Sequence, residues 1–81
     1  MTLFQEAQQS RNTLLDIVFR YISQNPGSRA ADIKRVLGLD SDFEGNQRSY
    51  LIFSLLGLLV NDGRVRYETE GRSKLYFPIV S

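Results

Sequence analysis

The stretch from Leu51 to Val60 constrains this chain more than any other, because its ten residues are apolar except for Ser54 and Gly57. Ten such residues are about half of what is needed to cross a bilayer. They form no narrow stripe either: Ile52, Phe53, Leu55, Leu56, Leu58, Leu59 and Val60 cover more than one side of a helix. A segment of this kind belongs in a protein core, and the rest of the 81 residues must supply what covers it. One small domain spanning residues 1–81 is the expectation, with three helices, a hairpin and an α+β layout.

The flanking segments can be read in the same way. Leu15, Val18, Phe19 and Ile22 recur at i, i+3, i+4 and i+7, and Leu14, Ile17 and Tyr21 widen that stripe, so a helix is predicted from about Leu3 to Ser23. Its first half, with Gln5, Glu6, Gln8, Gln9, Arg11 and Asn12, is polar and expected to be exposed. Asn25-Pro26-Gly27 stops it. Ser28 is placed to cap a second, short helix from Arg29 to Leu37, whose inner face carries Ile33, Val36 and Leu37 and whose end is marked by Gly38 with Leu39 behind it. An acidic, turn-like stretch from Asp40 to Gly45 leads into a third helix, from about Asn46 to Asn61, closed by Asp62-Gly63. From Arg64 to Thr69 charged residues alternate with apolar or β-branched ones, the period of a half-buried strand. Glu70-Gly71-Arg72-Ser73 is the turn. The return strand puts Leu75, Phe77 and Ile79 on one face, and Pro78 marks it as an edge.

Composition excludes much chemistry. The chain has no cysteine and no histidine. Disulfides, thiolate zinc sites, cysteine nucleophiles, the usual general base and charge-relay triads are therefore ruled out, and a non-enzymatic protein with no cofactor is expected. The first residues lack the basic-then-apolar pattern of a signal peptide, so a cytoplasmic protein with no membrane partner is expected. Asp40-Ser41-Asp42-Phe43-Glu44-Gly45 imitates the start of a calcium loop, but Leu51 stands where the bidentate Glu is required and Arg48 where another oxygen ligand is needed. The acids of that loop serve instead to favour the start of the third helix. Net charge is only +1, but the C-terminal end holds Arg64, Arg66, Arg72 and Lys74 against Glu68 and Glu70.

Two stretches carry a resemblance. Ala31-Asp32-Ile33-Lys34-Arg35-Val36-Leu37-Gly38-Leu39 is similar to the second helix and glycine turn of the winged helix-turn-helix DNA-binding family. Leu56-Gly57-Leu58-Leu59-Val60-Asn61-Asp62-Gly63-Arg64-Val65 is similar to the end of that family's recognition helix where it enters the wing. The resemblance covers nearly the whole chain and implies a winged helix that binds double-stranded DNA in transcription regulation or another DNA transaction. In that family the first half of the third helix enters the major groove and the wing rests on a neighbouring groove or on phosphates. By position this implies groove-facing roles for Asn46, Gln47, Arg48, Ser49 and Tyr50, and phosphate contacts for Arg66, Arg72 and Lys74. Asn and Gln pair with adenine and Arg with guanine, so the residue types suit base reading.

The alternative reading is a winged helix used as a protein-interaction or dimerisation module. The acidic loop and Phe53, one turn after Ser49 and Tyr50, favour it. A homodimer is expected to use a helix-three stripe of Phe53, Leu56 and Val60, set apart from a core set of Leu51, Leu55, Leu58 and Leu59, together with Leu3, Phe4 and Ala7 of the first helix.

Overall fold

The computed structural model describes residues 2–39 and 50–79. Its elements are α1 (Leu3–Gln24), α2 (Ala30–Leu37), α3 (Tyr50–Asn61), β1 (Val65–Glu70) and β2 (Ser73–Pro78). Three helices are thus followed by one antiparallel hairpin, an α+β layout compatible with a winged helix.

Local chemistry explains the boundaries. Thr2 and Gln5 form a reciprocal cap on α1: the Gln5 amide donates to Thr2 Oγ1 at 3.1 Å and the Thr2 amide to Gln5 Oε1 at 3.0 Å. At the other end the Asn25 amide and Nδ2 both donate to the Tyr21 carbonyl. Gly38, at φ 67°, ends α2 in the left-handed conformation that a side chain would resist, and the Leu39 amide reaches back to the Lys34 carbonyl. In the hairpin, Gly71 at φ 62° is followed by Arg72 at negative φ, the pattern of a two-residue II′ turn whose twist suits the flanking strands.

Ser28 does not cap α2. Its hydroxyl donates to the Asn25 carbonyl at 2.5 Å and its backbone pairs with Tyr76, so the N-cap is Arg29, which offers no side-chain acceptor, and α2 begins at Ala30. The Gly27 amide donates to the Tyr76 carbonyl and the Tyr76 amide to the Ser28 carbonyl. β2 therefore lies between β1 and a one-residue stub of a third strand. The nitrogen of Pro78 points to that same side of β2, away from β1, where its missing N–H costs no bond with β1.

The core consists of Leu15, Val18 and Ile22 of α1, Ile33 of α2, Ile52, Leu55, Leu56 and Leu59 of α3, Val65 of β1 and Tyr76 of β2, with no buried polar or charged residue among those described. Two expectations are corrected here. On α3 the buried set is Ile52, Leu55, Leu56 and Leu59, whereas Leu51 and Leu58 are only half-buried, so Leu56 leaves the outward stripe in which it was placed. In β2, Leu75 and Phe77 share a face as expected and are half-buried, Ile79 beyond the strand is exposed, and Tyr76 of the other face enters the core. On α2, Ile33 is buried as expected but Val36 is 58% exposed.

Candidate nucleic-acid interface

The hairpin sorts its charges by register. Val65 pairs with Pro78, Tyr67 with Tyr76 and Thr69 with Lys74, and alternation puts these six on one face. Arg66, Glu68, Glu70, Ser73, Leu75 and Phe77 occupy the other. Both acidic residues of the hairpin thus share a face with Arg66, and Lys74 is the one charged residue of the opposite face.

Side-chain contacts reinforce that division. Arg66 donates to Glu68 Oε1 at 3.0 Å, and its guanidinium lies 4.6 Å from the centre of the Phe77 ring. On the first face, Lys74 Nζ lies 4.5 Å from the centre of the Tyr67 ring, which is tilted against Tyr76 at a centroid distance of 6.1 Å. Burial, and to a smaller degree the neighbouring Tyr67, push the Tyr76 phenol above its ordinary value of 10.0.

The first face and the body enclose a cleft of about 380 Å³. Arg29, Ala30 and Ala31 line it from the start of α2, Phe53 from α3, and Arg72, Ser73, Lys74 and Tyr76 from the hairpin. A second hollow of about 220 Å³ continues past Phe53 to Gly57, Val60 and Tyr67. No described carboxylate lines either hollow. Arg29, Arg72 and Lys74 are exposed and form no ion pair with a described residue. Other cations are engaged: Arg20 and Arg64 share Asp16 at 3.2 and 3.6 Å, with Arg64 also stacked on Phe19, and Arg35 pairs with Asp32 at 3.2 Å.

The start of α2 adds a fixed dipole. The Asp32 and Ile33 amides both donate to the Arg29 carbonyl, while no side chain caps the turn. Ala30 and Ala31, at the positive end of the helix, border the same cleft as the three cations. An anionic oxygen placed there would meet backbone amides and guanidinium or ammonium groups together, with aromatic rings of Phe53 and Tyr76 beside them.

Of the residues singled out from the sequence, Arg72 and Lys74 are brought together, and Arg66 lies on the opposite face of the hairpin. Asn46, Gln47, Arg48 and Ser49 fall outside the described residues, as does the calcium-like stretch from Asp40 to Gly45. Tyr50 opens α3, with its backbone alone described. Arg29 was missed by sequence reasoning. The separation of Lys74 from the acids was legible: once Gly71 and Arg72 are taken as the turn, the pairing follows and parity assigns each residue to a face. Comparison with protein-family models, with curated proteins and with solved structures finds no match for this chain.

Proposed function

We propose that this chain is a small, non-enzymatic winged-helix module that binds double-stranded DNA and acts in transcription regulation or another DNA transaction. The observation that carries this reading is the cleft, lined by no described carboxylate, in which Arg29, Arg72 and Lys74 border the start of α2, where no side chain caps the helix. Cations without a local carboxylate partner are the ones that gain most from a phosphate, since no ion pair has to be broken first. In this reading the cleft residues neutralise phosphates and set the orientation of the module, and Asn46, Gln47, Arg48, Ser49 and Tyr50 read base edges. Arg66, tied to Glu68, contributes least.

The test is fluorescence anisotropy with random-sequence duplex DNA at two salt concentrations. Binding that weakens with salt, with the slope falling by about one unit for each of Arg29→Ala, Arg72→Ala and Lys74→Ala, is the expected result. Absence of binding at low salt rejects the DNA reading.

One observation favours a second reading. Phe53 is 55% exposed and Tyr67 44% exposed along the same groove, an aromatic surface that suits a protein partner. Under that reading Phe53→Ala abolishes partner capture, and the three cleft cations are expendable.

A further inference from the structure

Helix α1 is built of two unlike halves. Its 22 residues span about 33 Å. From Leu14 onward it packs on the body, with Leu15, Val18 and Ile22 buried. From Leu3 to Thr13 every residue is exposed except the half-buried Gln8, with Leu3 at 85% and Phe4 at 72%, the highest values among the described large apolar residues. A helical segment this short is marginal in water without tertiary packing, and the cap at Thr2 does not explain why two large apolar side chains sit beside it.

A single apolar or small-residue stripe runs through both halves: Leu3, Ala7, Ser10, Leu14, Ile17 and Tyr21. The steps are four, three, four, three and four, the a/d spacing of a coiled-coil seam, and no charge interrupts it. It lies beside the buried face, so the half-buried Leu14, Ile17 and Tyr21 retain surface on the outer edge of the body.

The sizes along the seam are complementary end to end. In an antiparallel pair with Leu3 opposite Tyr21 of a second copy, Ala7 meets Ile17 and Ser10 meets Leu14, so that each layer combines a residue of the bare half with a bulkier one of the packed half. A parallel pair sets Ala7 on Ala7 and Ser10 on Ser10, leaving voids, and Tyr21 on Tyr21. Charge agrees with the antiparallel arrangement: Glu6 and Arg20 flank the seam on the same side and face each other twice across the two-fold axis, Glu6 joining Asp16, 3.2 Å away, as a partner of the exposed Arg20. Phe4, on the other flank, stands seven and fourteen residues before Arg11 and Val18, and so falls against the body of the second copy.

We infer that α1 is the dimerisation element of this protein, pairing antiparallel with α1 of a second copy so that the bare half of each lies along the packed half of the other. This inference is independent of the DNA reading. It keeps the expected Leu3, Phe4 and Ala7 of α1 in the self-association surface and replaces the expected Phe53, Leu56 and Val60 stripe of α3 with the rest of the Leu3-to-Tyr21 seam.

Sedimentation equilibrium of the full chain, from micromolar to submillimolar concentration, gives a mass rising from one chain to two. Ala7→Glu, at an exposed position that leaves the body intact, weakens the dimer by about tenfold or more. Asn12→Glu, on the far side of the helix, and Phe53→Glu do not. Orientation follows from oxidation of engineered cysteines in a chain that has none of its own. Ala7→Cys combined with Ile17→Cys forms a covalent dimer, and Ala7→Cys alone does not. A single-chain mass throughout, a dimer indifferent to Ala7→Glu, dissociation by Phe53→Glu instead, or cross-linking by Ala7→Cys alone would each overturn the inference.

Discussion

The two faces of the hairpin have nearly the same length and strand character but opposite tasks. The face with Val65 and Tyr76 is buried at its root and carries Lys74 near its tip, beside Arg72 in the turn. The face with Arg66, Glu68 and Glu70 ties its one cation to Glu68, stacks it on Phe77 and keeps the negative charge of Glu70. Two strands thus separate a surface that holds the fold and carries cations with no described acidic partner from one whose single cation is paired and whose net charge is negative. What looks in one dimension like basic residues diluted by acids is in three dimensions a segregated pair of surfaces.

The sharpest way to break this contrast is to remove the root of the inner face. Tyr76→Ala empties a site that is only 4% exposed and should cost about 3–5 kcal/mol, read as a shift of the urea midpoint at unchanged slope. Arg66→Ala, which touches only the outer face, should cost no more than about 1 kcal/mol because its ion pair is solvent-exposed. Equal losses would mean that the two faces share the load.

On DNA the ranking changes hands. Arg72→Ala and Lys74→Ala should each lower the salt slope by about one unit, whereas Arg66→Ala should leave it within error. Arg48→Ala should instead relax sequence preference at a cost of about 1–3 kcal/mol. If Arg66→Ala weakens binding as much as Lys74→Ala, the outer face contacts phosphate and the division by face fails.

The smallest effect concerns protons. The Tyr76 phenol is raised above the value it has in the unfolded chain, so the fold favours its neutral form. That contribution is complete below about pH 10 and is lost as pH rises through the folded value. Urea unfolding at about pH 9 and about pH 11 should therefore show lower stability at the higher pH, and Tyr76→Phe should reduce the difference. An identical pH dependence in Tyr76→Phe would assign the loss to other groups.

Much of this arrangement can be read along the chain, and the failures have physical causes. α1, α2 and the hairpin lie within one or two residues of their expected positions, because periodicity, Gly38 and the Gly71 turn each act locally. The buried face of α3 was misjudged because a helix apolar nearly all round has no preferred side until its neighbours are placed. Ser28 was misassigned because its partner Tyr76 lies far along the chain, while the competing cap was local. The Thr2–Gln5 cap was also missed, although Thr followed by Gln at the third position is its local signature. Arg29 escaped for the same reason as Ser28, since nothing near it in sequence places it beside Arg72 and Lys74.

The Ser28–Tyr76 bridge has a further consequence, one of entropy. Two backbone hydrogen bonds join the residues just before α2 to the middle of β2, one residue from Arg29 on one side and two from Lys74 on the other. The backbone separation of these two cations is thereby held by the fold and does not have to be set when an anion arrives. A wing tethered only through its root would have to be immobilised on contact, at a cost in lost freedom that subtracts from affinity. Under the proposed reading that freedom is surrendered during folding, so an anion would meet cations whose backbone positions are already set, with only their own side chains left to order.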